Sequence, residues 1–307
     1  MSTATESESE NVSCASCGIA GVDDIKLKDC DDCDLVKYCS DECQRDHRVQ
    51  HKEECKKRTA ELHDELLFKQ PESTHRGDCP ICCLPLPIDP KKCKMMSCCC
   101  KFICNGCGFA KGTREVLERL QEKCPFCRKA VPSTMEEHNV LMMKRVEAND
   151  PVATCSMGIK RYRQGNVEAA VEYWTRAAAL GDVEAHYRLW AMYYVGEGVE
   201  KDENRGLHHL TEAAIGGHPE ARYNLGRIEY NNDSDRAAKH FIIAANLGHD
   251  KSLKVVKNLY KDGYVSKEDF TAALRGHYAA IVAMKSPQRE EAAQFDEWLA
   301  ERRSGVV

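Results

Sequence analysis

The sequence predicts a mainly α-helical chain in which two small cysteine-rich modules lead into an α-solenoid of helix hairpins. Three observations carry this reading. Eighteen of the 19 cysteines fall between Cys14 and Cys127, with only Cys155 beyond them. Within that span they recur in pairs two or three residues apart. Past about Asp150 the chain turns alanine-rich and repeats itself, with Gly181, Gly217 and Gly248 closing similar segments 36 and 31 residues apart. The 307 residues suffice for two or three domains, and 42% hydrophobic content permits a packed core.

Compartment and charge narrow the chemistry. The opening MSTATESESE has neither a basic start nor an apolar run, and no stretch approaches membrane-spanning length. An intracellular protein of cytoplasm or nucleus, without membrane attachment, is expected. In a reducing compartment, clustered thiols at paired spacing serve as metal ligands far more often than as disulfides, with zinc the default metal. A net charge of −5 gives no bulk attraction to phosphate, so nucleic acid is not an expected partner. The one basic run, Arg45 to Arg58, is interleaved with acids and reads as a solvated helix face.

Four pairs organise the first module: Cys14-x2-Cys17, Cys30-x2-Cys33, Cys39-x3-Cys43 and His51-x3-Cys55. A two-residue gap aims both sulfurs of a tight knuckle at one ion, and a three-residue gap places ligands at i and i+4 on one helical face. Eight ligands make two tetrahedral sites. With Tyr38 before Cys39 and the run Cys39-Ser40, Cys43-Gln44, His51-Lys52 and Cys55, the segment resembles the MYND zinc finger. The resemblance implies interleaved pairs, one site from Cys14, Cys17, Cys39 and Cys43 and the other from Cys30, Cys33, His51 and Cys55. His47 could compete for a ligand place; the family pattern favours His51. MYND fingers commonly hold proline-rich peptides beside the second site with a Gln and a Trp. Gln44 is present, but Arg48 stands where the aromatic usually does, which removes apolar contact area from that groove. Packing against the second module is the alternative role.

The second module holds Cys79-x2-Cys82, the run Cys98-Cys99-Cys100, Cys104-x2-Cys107 and Cys124-x2-Cys127. It resembles a RING finger. The resemblance implies one site from Cys79, Cys82, Cys104 and Cys107, and another from the Cys98 to Cys100 run with Cys124 and Cys127. Cys98 plus either Cys99 or Cys100 would bind, leaving one thiol spare. The usual histidine before the fifth ligand is missing, with Lys101 in that neighbourhood, so an all-cysteine variant is implied. Cys83 and Cys93 stay outside the pattern. About four zinc ions per chain are expected in all.

Non-ligand positions extend the RING resemblance. Ile81 inside the first knuckle and Pro125 inside the last sit where ligase RINGs offer an apolar shelf to a ubiquitin-conjugating enzyme. Arg128 follows the final cysteine, where a basic residue bridges that enzyme and its tethered ubiquitin; a guanidinium suits the role because it donates to two acceptors in a fixed fork. Each position also has a plain structural reading, as small-core residue, turn former and surface charge. The usual Trp after the sixth ligand is absent, with Phe109 the nearest aromatic.

Ser133-x2-Glu136 reads as a capping box that starts a helix running to about Ala148. Beyond it, Ala153, Ala185 and Ala221 each precede a tyrosine by nine residues, at Tyr162, Tyr194 and Tyr230. Small residues let paired helices approach, tyrosines are expected to fill the gaps between hairpins, and the glycines end helices in the left-handed conformation. These segments look like Sel-1-like repeats, relatives of the tetratricopeptide hairpin. A degenerate fourth repeat spans about Lys251 to Gly276, and Ser286 to Arg303 is expected to form an amphipathic helix covering the open end of the solenoid.

The expected layout is a disordered acidic start at 1–12, the MYND-type finger at 13–57, a helical connector at 58–76 and the RING-type finger at 77–132. A connecting helix at 133–149, repeats at 150–276 and a helical tail at 277–307 complete it. The resemblances imply a ubiquitin ligase: the RING recruits the conjugating enzyme, while finger and repeats select a substrate or tether complex subunits. The rival is a non-catalytic adaptor presenting interaction surfaces. MYND fingers also occur in SET-domain methyltransferases, but no split SET sequence surrounds residues 1 to 150.

Overall fold

A computed structural model describes residues 13–21 and 26–303, so the expected acidic start lies outside the described residues. Among the described residues, 62% of them helical, twelve α-helices dominate. The chain divides after Lys69 into two compact units.

In the first unit, β1 (Lys28–Asp29) pairs antiparallel with β2 (Lys37–Tyr38), and α1 (Asp41–Phe68) follows. Ser40 caps α1 by accepting from the Cys43 N–H at 3.2 Å, and Asp41 and Glu42 complement the first turn. Among α1's 28 residues only His51 and Leu67 are buried. The core here is Cys14, Cys30, Cys33 and Tyr38, so the potential metal ligands are themselves most of the buried material.

The second unit opens with a hairpin of β3 (Cys93–Met96) and β4 (Lys101–Cys104), in register Cys93 to Cys104, followed by α2 (Asn105–Leu117). Leu86, Met96 and Ile103 pack with Cys79, Cys104, Cys107 and Cys124. α3 (Met135–Glu147) then starts one residue later than the sequence suggests. Thr134, not Ser133, is the N-cap, and the Glu137 carboxylate reaches back to the Ser133 N–H at 2.8 Å, a capping box displaced by one position.

Four hairpins follow: α4 (Pro151–Arg163) with α5 (Val167–Ala179), α6 (Val183–Val195) with α7 (Glu203–Ile215), α8 (Pro219–Glu229) with α9 (Ser234–Asn246), and α10 (Asp250–Lys261) with α11 (Lys267–Ala283). Each packs on the next, giving a solenoid. Ala153, Ala185, Ala221, Ala177, Ala213 and Ala244 are all fully buried, which lets the helices close. Gly181, Gly217 and Gly248 have φ of 85°, 80° and 90°, ending α5, α7 and α9 in the left-handed conformation.

Two expectations fail here. The repeated tyrosines do not fill the inter-hairpin gaps: Tyr162, Tyr194 and Tyr230 are 38%, 48% and 43% exposed. Tyr162 sets its ring at a tilt, 5.7 Å from that of buried Trp174, and sends its hydroxyl to Glu197 at 3.2 Å, an amphipathic placement suited to a ring with a polar tip. Nor does the terminal helix α12 (Pro287–Arg303) simply cover the open end of the solenoid. It packs on α2, with Phe295 5.2 Å from Phe109. Gly106 permits this, since a Cβ there would stand 2.7 Å from the Arg289 nitrogen. Arg289 fixes the crossing by donating to the carbonyls of Pro85 at 2.8 Å and Met284 at 2.7 Å.

Candidate metal centres

Three knuckles share one backbone design. In each, the N–H of the first cysteine donates to a carbonyl five residues on: Cys14 to Ile19 and Cys79 to Leu84 at 2.8 and 2.9 Å, and Cys124 to Lys129 at 2.8 Å. An isolated bridge closes each loop, Ser13 with Ala20, Asp78 with Pro85 and Lys123 with Ala130. The residue after the second cysteine takes positive φ in every case: 74° at Gly18, 55° at Cys83 and 59° at Arg128. Backbone N–H groups thereby turn inward to the first sulfur. Against burial, which raises a thiol, those N–H groups bring Cys14 down to about 6 and Cys79 and Cys124 each down to about 7. The knuckles favour thiolate.

Four sets of four donors converge, each set lying within 4.8 Å: Cys14, Cys17, Cys39 and Cys43; Cys30, Cys33, His51 and Cys55; Cys79, Cys82, Cys104 and Cys107; Cys98, Cys99, Cys124 and Cys127. In each module the first pair meets the third and the second meets the fourth, a cross-braced arrangement. Edges such as Cys17 to Cys39 at 3.5 Å, Cys82 to Cys104 at 3.9 Å and Cys99 to Cys124 at 3.7 Å suit a tetrahedron, whose sulfur–sulfur edge is about 3.8 Å for zinc–sulfur bonds near 2.3 Å. A donor set of four thiolates, or of three thiolates and one imidazole, fits zinc. The chain is metal-binding in character; His51, buried with Nε2 3.1 Å from the Cys33 sulfur, supplies the one nitrogen donor. His47 lies outside the set, its Nδ1 3.1 Å from the Tyr38 hydroxyl.

Of the three adjacent cysteines, the structure brings Cys98 and Cys99 into the fourth set and leaves Cys100 out. At φ 56° Cys100 turns away, buried against Met142, Val146, Ala153 and Met157. Burial pushes its thiol up to about 12, as it pushes Cys93 to about 11, so both stay protonated hydrophobes. Ile81 is 43% exposed, and Pro125 and Arg128 are also exposed.

Sequence reasoning missed a fifth convergence. His75, Glu184 and His218 bring their donor atoms together, with the Glu184 carboxylate 3.6 Å from His75 Nε2 and 3.4 Å from His218 Nε2. The two rings are stacked at 4.4 Å and 11°, so their in-plane lone pairs run side by side instead of meeting at one ion. Arg188 also holds Glu184 at 2.6 Å. The cluster is a carboxylate–imidazole clasp, with Arg188 and Arg76 as the cations on Glu184, that fastens residues 75–76 to the solenoid, helped by the His75 N–H donating to the Gly217 carbonyl at 3.1 Å.

The same kind of pair recurs along the repeats, Glu220 with His249 at 2.6 Å and Asp250 with His277 at 2.9 Å. Its signal was present in the register: Asp182-Val-Glu184, His218-Pro-Glu220 and His249-Asp250 all occupy helix starts. His249 also contacts buried Ser252 at 2.8 Å, which completes an acid–histidine–serine chain. Ser252 is fully buried in the first turn of α10, so the chain fastens a helix end and offers no nucleophile.

Two family models match parts of this chain. The MYND finger model matches residues 14–55, and the Sel1 repeat model matches 155–182, 183–218 and 219–249. The chain thus carries a MYND finger and Sel1 repeats; neither match reaches the second cysteine module. No curated protein matches the chain. A protective antigen of uropathogenic Escherichia coli with an SLR fold is 27% identical over 50% of this chain, with TM-score 0.40. The alignment covers only 34% of that antigen. A Sel1 repeat protein from Oxalobacter formigenes is 27% identical, covering 39% of this chain and 97% of its own, with TM-score 0.37. An immunity protein from Pseudomonas aeruginosa is 16% identical over 58% of this chain and 83% of its own, with TM-score 0.30.

Native mass spectrometry should find about four zinc ions per chain; Cys99→Ser should lower the count or weaken retention, and Cys100→Ser should leave it unchanged. The clasp should weaken in acid. Burial lowers His218 from its ordinary 6.5 to about 4, so its contribution is complete above pH 6.5 and fades as pH falls towards 4. The bond from His249 lowers Glu220 from 4.5 to about 2, so that contribution fades between pH 4.5 and 2. Urea midpoints should therefore fall from pH 7 to pH 4, and His218→Gln should flatten the slope between 6.5 and 4.

Proposed function

We propose that this protein is a RING-type ubiquitin ligase built on an interaction scaffold. The scaffold half is the firmer part: a MYND zinc finger and Sel1 repeats make a protein-interaction adaptor. Sel1 repeats generally mediate contacts between proteins. No helix among the described residues is long and apolar enough to cross a membrane. The abundance of free thiols suits a reducing compartment, cytosol or nucleus.

The ligase half rests on residues 77–132. The single observation that carries it is Arg128. It is an exposed arginine held at φ 59° in the knuckle position where the first module has Gly18. A left-handed backbone at that turn favours glycine, so a guanidinium there answers a demand other than the turn's own. Ile81 and Pro125, exposed inside two knuckles, supply the apolar shelf expected to receive a conjugating enzyme. On this reading the protein contributes no nucleophile. Docking restricts the thioester-linked ubiquitin to an attack-ready geometry, and a substrate lysine attacks the thioester carbonyl, displacing the conjugating enzyme's thiolate. Zinc holds the knuckles in register and takes no part in the transfer.

An adaptor without ligase activity is the second reading, favoured by one observation. Phe109, the aromatic nearest the place of the usual Trp, is engaged by Phe295 of α12.

Purified protein incubated with activating enzyme, a panel of conjugating enzymes and ubiquitin separates the two. A ligase forms chains with at least one partner, and Arg128→Ala or Ile81→Ala reduces the rate at least about tenfold, the loss of roughly 1.4 kcal/mol of transition-state contact. No chains with any partner would leave the adaptor.

A further inference from the structure

Arg289, in the first turn of α12, lies against the donor set of Cys79, Cys82, Cys104 and Cys107. Its Nη2 donates to the Cys82 sulfur at 3.4 Å and to the Leu84 carbonyl at 3.2 Å, while Nη1 serves the carbonyls of Pro85 and Met284. The Cys104 sulfur also acts on it. Gly106, between the ligands Cys104 and Cys107, gives the α12 backbone room to bring the side chain there. Ser286 sets the start of the helix, its hydroxyl accepting from the Arg289 N–H at 3.3 Å.

Carbonyls alone would make this arginine a strap between α12 and the module. Its charge calls for more. The side chain is half-buried, and among the described residues no carboxylate pairs with it; the charge-bearing groups that act on it are the sulfurs of Cys104 and Cys82. A guanidinium drawn out of water needs a counter-charge. Four thiolates around one zinc ion leave a net negative charge, which outer-shell donors offset. Two of those donors are neutral: the Cys104 N–H reaches the Cys79 sulfur at 3.5 Å, and the Cys107 N–H reaches the Cys104 sulfur at 3.4 Å. Cys82 receives the charged one. Among the described residues no other arginine or lysine side chain hydrogen-bonds a sulfur of the four sets, so the remaining three serve as internal controls.

We propose that Arg289 is the outer-shell cation of the zinc site formed by Cys79, Cys82, Cys104 and Cys107, so that docking of α12 sets how tightly that ion is kept. The proposal rests on the zinc reading of the second cysteine module and is independent of ubiquitin transfer. A charge-assisted N–H···S bond makes the sulfur a poorer proton acceptor, and protonation of a sulfur is what releases it from the metal. Arginine suits the place because its fork holds the carbonyls and the sulfur at once.

The zinc-loaded full chain, mixed with excess EDTA and a thiol-alkylating reagent, tests this when mass spectrometry follows the modification of each cysteine with time. Arg289→Gln should speed modification of Cys79, Cys82, Cys104 and Cys107 at least about tenfold and leave the other three sets at the wild-type rate. Native spectra of the same samples should show a single zinc ion lost ahead of the rest. Arg289→Lys keeps the charge but loses the fork, and should fall between wild type and Arg289→Gln. A purely structural strap would instead fail equally in both variants. Circular dichroism verifies folding; should Arg289→Gln not fold, Arg289→Lys against wild type decides, with faster loss expected at that one set. Unchanged rates there, equal acceleration of all four sets, equal loss in the two variants, or wild-type protein without zinc in that set would overturn the proposal.

Discussion

Four donors brought within 4.8 Å of one another, most of them sulfur, form an arrangement suited to a single zinc ion. Thiolates repel at that distance, and no disulfide relieves them, since every described cysteine is free. The first module shows the dependence most clearly. Its buried cluster consists of Cys14, Cys30, Cys33 and Tyr38, so removing the ion removes the reason for burial itself. The second module adds Leu86, Met96 and Ile103, yet its cysteines still provide the centre to which these residues attach. Knuckle N–H groups lower the first thiol of each loop before any ion arrives, which divides the work between backbone and metal.

The solenoid solves a different problem with different means. Its helices approach through alanines that have no accessible surface, its successive hairpins are fastened by the imidazole–carboxylate pairs His218–Glu184 and His249–Glu220 as well as by apolar contact, and His277–Asp250 ties the two helices of the fourth hairpin. Burial keeps His218 neutral at ordinary pH while Glu184 remains charged between it, His75 and Arg188. Such a seam holds at neutral pH and loosens in acid, a property that an all-apolar interface lacks.

Much of this was legible in the residues. Paired spacing announced both cysteine modules, and periodic alanine and glycine announced the repeats, because each pattern is a direct geometric requirement of its element. Choosing Cys99 over Cys100 was not legible, since it depends on one residue adopting φ 56° and burying its thiol under α3 and α4. The destination of α12 was hidden for a related reason. The spacing of Phe295, Trp298 and Leu299 foretells a helix but not its packing: Phe295 and Trp298 stay 41% and 43% exposed, Ala292 is buried instead, and Gly106 makes room for the backbone at Arg289. The tyrosines recur in phase, yet phase does not separate a gap-filling ring from one lying half-exposed along the surface. The histidine seam was written at helix starts and passed unread because each histidine, taken alone, looks like an ordinary cap.

Metal dependence can be measured directly on the full chain. Limited proteolysis with mass-spectrometric mapping, before and after a strong chelator strips the zinc, should show residues 13–57 and 77–131 losing protection while residues 151–283 keep theirs. Unchanged protection of both cysteine modules in protein verified to be metal-free would contradict the dependence on which the proposed surfaces rest.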